Sequence, residues 1–330
     1  MQPMLRLLLP LAALVGCAQD TPAPTSLVAD GPAAILKNSV GAWSAAFDIE
    51  AAWPGAHESF NTRALEGCPF VSRDGLRFFM ASTRPGGLGG MDIWMSTRDR
   101  VDEPWGAPVN VGAPINSASN DFCPTLARDG HTFYFVSNRL GGCGGADVYI
   151  ARRRNDESFD AVENVGCDVN SAADEAGPFP IEEPGRGPVL YFSSTRPGGY
   201  SPEPAGALVG DSDVYSSEWR GGEFAAAALV PGINSAADDG QPNVRRDALE
   251  IFFYSSRPGG TGMADIYSAS REHPRATWNT PVNLAAVNSP AADTRPSLSW
   301  DGTTLYFGSA RAGSEEMSSD IYVARRAHDH

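Results

Sequence analysis

The sequence predicts an all-β chain folded as a five-bladed β-propeller, with four antiparallel strands per blade and an N-terminal strand completing the last blade. Three observations lead there. A unit of about 55 residues recurs five times, each copy reads as short strands, and the final copy stops after its third strand. Radial stacking of such units buries hydrophobic faces that no unit can bury alone.

Each unit opens on an apolar residue followed by asparagine: Phe60 and Asn61, Ile115 and Asn116, Val169 and Asn170, Ile233 and Asn234, Val287 and Asn288. The steps between asparagines are 55, 54, 64 and 54 residues, and the long one is assigned to an insertion near Tyr200 to Asp211. An acid follows each asparagine by five residues (Glu66, Asp121, Glu175, Asp239, Asp293) and a proline by eight (Pro69, Pro124, Pro178, Pro242, Pro296). A short first strand then meets a turn such as "RDG" at 73–75 or "WDG" at 300–302, where Asp-Gly suits a tight hairpin. The second strand, "RFFMAS" or "TLYFGS", is apolar almost throughout, which predicts cover on both faces. Next comes an arginine-glycine loop, "STRPGGLGG" in the first unit, then a third strand beginning "DIW", "DVY" or "DIY" and a fourth such as "PVNVG". A phosphate cradle would open a helix. This loop opens a strand, so its glycines are read as closing a hairpin loop between arginine and aspartate.

Closure is read from the two ends. The last unit finishes at "DIYVARRAHDH", and "AWSAAFDIEAAWPGAHESFN" precedes Phe60-Asn61 where other units have a fourth strand. The propeller is therefore expected over residues 43–330. Residues 1–17 carry one positive charge, Arg6, then an apolar run from Leu7 to Val15, too short to span a bilayer, and read as a secretory signal. Its end, "LVGC", resembles the bacterial lipobox, which implies lipidation at Cys17 and an envelope address, at the outer membrane facing the periplasm or exported. Residues 18–42, rich in Ala, Pro and small polar residues, read as a tether.

A net charge of -15 disfavours nucleic acid as a partner, so membrane contact is expected through the lipid anchor alone. Four cysteines remain beside Cys17, namely Cys68, Cys123, Cys143 and Cys167, an even number suited to disulfides. Cys68 and Cys123 hold equivalent sites on adjacent blades, and Cys143 and Cys167 lie in one unit, but three connectivities are open. No CxxC pair and no spaced histidine set appears, so neither a metal site nor a cofactor is expected.

The units are similar to the WD-like Pro-Asp propeller repeat of TolB C-terminal domains, through the pattern "SxDGxxLYFxSxRxGGxGxxDIY" over roughly residues 60–326. The resemblance implies the propeller fold and says little about function.

Strand direction places the acid ring near the inner mouth of the channel, with Arg84, Arg139, Arg196, Arg257 and Arg311 farther out on the same face. Asp92, Asp147, Asp213, Asp265 and Asp320 open the third strands. Recurrence in every blade marks these residues and the five asparagines as staples that bond loop backbone or one another. Function is sought instead where the repeats differ. Phe70, Thr125, Phe179, Gln241, Asn243 and Arg295 flank the blade prolines and are candidates for binding a polar ligand, as is Tyr200 in the insertion. The expected function is a lipid-anchored, non-catalytic envelope module that binds a protein, peptide or glycan. The alternative is a glycoside hydrolase of the five-bladed furanosidase or arabinanase type, with Glu66, Asp121 and Glu175 as its carboxylates.

Overall fold

A computed structural model describes residues 41–52, 60–201, 210–314 and 319–327. The predicted signal, Cys17 and nearly all of the tether lie outside the described residues, as do residues 202–209 of the insertion.

Five antiparallel sheets form the five blades of a β-propeller. Blade 1 runs Glu66–Val71, Arg77–Ser82, Asp92–Thr97 and Val109–Asn110. Blade 2 runs Asp121–Leu126, Thr132–Ser137, Asp147–Arg152 and Glu163–Asn164. Blade 3 runs Glu175–Glu183, Gly187–Ser194, Asp213–Arg220 and Ala228–Leu229. Blade 4 runs Asp239–Val244, Glu250–Ser255, Asp265–Ser270 and Val282–Asn283. Blade 5 runs Asp293–Leu298, Thr304–Ser309 and Asp320–Arg325, and Phe47–Asp48 completes it, Phe47 lying opposite Val323.

The apolar second strands face a neighbouring blade on each side. Phe78 packs edge-on against Tyr306 of blade 5 at 5.6 Å, while the next residue, Phe79, meets Phe133 of blade 2 at 5.2 Å. Both rings are fully buried, and each contributes about 1.5–3 kcal/mol of transfer free energy. Alternation that would expose one face in a lone sheet thus fills two interfaces.

The first strands share one irregularity. Pairing with the second strand slips between Gly67 and Phe70, and again at the matching place in every blade. The residue before the blade proline is left-handed each time: Cys68, Cys123, Gly177, Gln241 and Arg295 have φ between 48° and 58°. A five-fold bulge of this kind twists the inner strand and re-aims its side chains. Disulfides join Cys68 to Cys123, across the inner strands of blades 1 and 2, and Cys143 to Cys167.

Blade 3 breaks the pattern. Its first strand has nine residues and its second and third eight each, against six in blade 1, and Glu223–Phe224 pairs with the end of its third strand. The extra length lies toward the hairpin joining its first two strands, so the blade stands proud at that end.

Candidate functional site

The residues that recur in every blade form a repeated clasp. Each asparagine bonds both backbone groups of the residue that follows the third-strand aspartate of the preceding blade. Asn116 accepts from the Ile93 amide at 2.9 Å and donates to its carbonyl at 2.8 Å, and Asn61 does the same to Ile321, locking blade 1 to blade 5. Each arginine reaches back to the loop before its own first strand. Arg257 donates to the Ile233 carbonyl (2.7 Å), Asp239 (2.5 Å) and Ser255 (2.7 Å). Its guanidinium carbon also lies 5.3 Å and 5.0 Å from the ring centroids of Phe253 and Tyr267.

The glycine pair is explained by the aspartate. Gly259 has φ of 93°, open to glycine at little cost, and a side chain on Gly260 would collide with the Asp265 carboxylate. That carboxylate takes the backbone N–H groups of Thr261 and Gly262 and the Asn283 amide, so it holds the loop shut.

The acid ring sits elsewhere than the strand count implied. Glu66, Asp121, Glu175, Asp239 and Asp293 have no exposed surface and do not line the channel opening, because each turns sideways into its own loop. Glu175 accepts from the Ser171 amide (2.8 Å), the Ser171 hydroxyl (2.6 Å) and Ser194 (2.7 Å). Burial raises the carboxyls of Glu66 and Glu175 above the usual range, and hydrogen bonds and arginines only partly oppose it. Glu66, Asp121 and Glu175 therefore cannot meet a sugar as placed.

The candidates beside the prolines surround an opening of about 40 Å³, too small for a sugar ring. Thr125 and Asn243 are buried, and Asn243 accepts from the Leu298 amide at 3.1 Å. Gln241 turns toward Cys123, 3.8 Å away, and Arg295 lies against Gly67, with burial holding its guanidinium below the usual arginine range. Phe70 and Phe179 pack into the cores between blades. Tyr200 is exposed, and its amide donates to Asp213 at 2.7 Å.

A larger concavity lies toward the opposite, hairpin end. The proud edge of blade 3 and the side of blade 2 enclose a groove of about 490 Å³. Ile150, Ile181, Leu190 and Phe224 give it apolar walls, and Trp219, which is 40% exposed, packs edge-on against Phe224 at 4.8 Å. Four carboxylates line it. Asp160 is taken up by Arg154 at 2.6 Å. Burial raises the Asp129 carboxyl, but bonds from Thr132 and the His131 amide outweigh it and hold the group below the ordinary range. Glu163 and Glu182 are exposed and make no side-chain hydrogen bond or ion pair among the described residues. Between the walls stands Tyr134, its phenol pushed up to about 12 by burial and by the charges of Asp129 and Glu182.

The groove runs into the hairpin-end mouth of the channel, since Arg128, Pro180, Ile181 and Glu182 line both. Reasoning from the sequence did not single out Glu163, Glu182 or Trp219. The readable signal was the spacing from the blade proline to the serine ending the second strand, which is longer in the third unit (Pro178 to Ser194) than in the first (Pro69 to Ser82).

No protein-family model matches the chain, and no match was found among curated proteins. Solved structures do match. An α-L-arabinofuranosidase from Lactobacillus brevis aligns at 12% identity and TM-score 0.53, over 83% of this chain and 94% of its own. An endo-arabinase from Bacteroides thetaiotaomicron aligns at 13% identity and TM-score 0.51, over 82% and 98%. A TolB structure from Agrobacterium tumefaciens aligns at 14% identity and TM-score 0.46, over 88% and 100%. The expectation of a non-catalytic module is corrected by these comparisons. The matches with TM-scores above 0.5 include an arabinofuranosidase, an endo-arabinase and a xylosidase, all glycosidases rather than binding modules. At such identities the likeness itself shows one thing: this chain has the propeller fold that those enzymes have.

Proposed function

We propose that the protein is a glycoside hydrolase whose substrate lies in the groove between blades 2 and 3, with Glu163 and Glu182 as its working carboxylates. The observation that carries this is the pairing of two unengaged carboxylates with an aromatic-walled groove, built where one blade departs from the repeat. Glycosidic bonds are cleaved by two such groups: one protonates the leaving oxygen, and the other supports the cationic centre or activates water. Apolar sugar faces would lie on Trp219, and Tyr134, protonated at neutral pH, has a hydroxyl to donate. The glycosidase folds that match this chain support the same reading.

The test uses the chain from Ala18 onward with aryl arabinofuranosides, aryl xylosides and neutral and acidic oligosaccharides. Turnover that is lost in Glu163→Gln and in Glu182→Gln, with melting temperature unchanged, is the expected result. No turnover across the panel would sink the proposal, and turnover indifferent to both variants would move the chemistry out of this groove.

We further propose that the chain is anchored in the envelope through lipid on Cys17, a reading supported by the short apolar run ending in "LVGC". Expressed in a bacterial host, it should incorporate radiolabelled palmitate and sediment with membranes. Cys17→Ser should abolish both, and a soluble wild-type product would refute the anchor.

A further inference from the structure

The hairpin-end mouth is ringed by one position from each blade, four residues after the proline: Arg73, Arg128, Glu182, Arg246 and Trp300. Three are arginines, in a chain with 40 acids against 25 bases. Trp300 belongs to blade 5, yet the guanidinium carbons of Arg73 and Arg128, from blades 1 and 2, lie 5.1 Å and 5.8 Å from its ring centroid. Two like charges thus converge on one indole.

Neither these two nor the third arginine is paired with a carboxylate among the described residues. Arg73, Arg128 and Arg246 are exposed, and none makes a side-chain hydrogen bond or ion pair among the described residues. The adjacent Arg245 shows the contrast, being held by Asp247 at 2.8 Å and Glu250 at 2.9 Å. Three guanidinium groups against the single carboxylate of Glu182, which bonds none of them, present planar donor pairs that match an anion's oxygens. The mouth as a whole, which Val71, Leu126, Val244 and Leu298 also line, has about 50 Å³, room for a carboxylate and not for a sugar ring.

We infer that this mouth is an anion subsite, and that the sugar chain lying in the groove carries a uronic-acid carboxylate into it. The subsite stands on the arginines alone, while its occupant rests on the glycoside-hydrolase reading. Continuity of groove and mouth through Arg128 and Glu182 lets one chain reach both. Trp300 would then take the face of the acidic sugar, and Glu182, at the junction, would repel a second carboxylate there.

The experiment is calorimetric titration with a uronate trisaccharide and with its neutral hexose counterpart. The acidic chain should bind about tenfold more tightly, the worth of one charge-assisted hydrogen bond. The preference should shrink as sodium chloride is raised. It should vanish in Arg73→Gln/Arg128→Gln, whose exposed positions leave the melting temperature unchanged, and persist in Glu163→Gln. Equal affinity for the two chains, or a preference that survives the double arginine variant, overturns the subsite. Turnover followed in the same samples separates the two readings. Acid preference without turnover keeps the subsite and removes the hydrolase; turnover without acid preference does the reverse.

Discussion

Arg257→Met is expected to lower the unfolding free energy by about 3–5 kcal/mol, the cost of removing one partner of a buried ion pair. Asp239, which has no exposed surface, would keep its bonds from the Ser235 amide and hydroxyl but lose the one cation it pairs with among the described residues. The Ile233 carbonyl and Ser255 would lose a donor at the same time, and the flanking Phe253 and Tyr267 rings a cation. Methionine keeps much of the packed volume, so the loss reads out charge and hydrogen bonding rather than a cavity. Urea unfolding of the single variants and of Arg257→Met/Asp239→Asn closes a double-mutant cycle. The double variant should recover a substantial part of the loss, since no charge is then stranded. If Arg257→Met costs under about 1 kcal/mol, on the scale of surface ion pairs, the clasp is ornamental and the blades are held by strand pairing and apolar contact alone.

The blade count was legible because the clasp is chemically demanding. An asparagine must bond two backbone groups of the previous blade, an acid must meet both a serine and an arginine, and a glycine must admit a carboxylate. Those needs fix residue types at fixed spacings, which survive in the bare sequence as Asn61, Glu66, Arg84 and Asp92 and their counterparts. Where the side chains point was not legible. Strand alternation assumes a regular strand, whereas the left-handed residue at Cys68 and its counterparts offsets everything before the bulge from everything after it. So the acids were expected at the channel mouth and lie buried beside it. The groove was missed for another reason. All the extra length of the third unit was assigned to Tyr200 to Asp211, although part of it lengthens the hairpin strands of blade 3. Four residues after each proline, Arg73, Arg128 and Arg246 were in plain view, but only topology brings five turns to one opening.

That lengthened hairpin is held by Glu183, and Glu183→Ala is expected to cost about 3–5 kcal/mol while disabling the groove. The Glu183 side chain has no exposed surface and accepts from Arg271 (2.6 Å), the Tyr191 hydroxyl (2.6 Å) and Arg186 (2.8 Å). Arg271 belongs to blade 4 and is 3% exposed, so the pair ties the proud edge of blade 3 to its neighbour and leaves a desolvated cation when broken. Arg186 extends the network to Glu218 at 2.6 Å, one residue before Trp219, while Glu182 is the next residue back from Glu183 itself. One buried carboxylate therefore governs both a carboxylate and an aromatic wall of the groove. Glu183→Gln keeps an acceptor oxygen and should lose less, about 1–2 kcal/mol. Urea unfolding gives the stability, and titration with the uronate trisaccharide reads the groove, so the two effects are measured apart. A well-folded Glu183→Ala with full affinity would show that strand pairing alone sets the wall. Lost affinity at a temperature well below its melting transition would show that the buried charge positions Glu182 and Trp219, which is the role its place between blades 3 and 4 assigns to it.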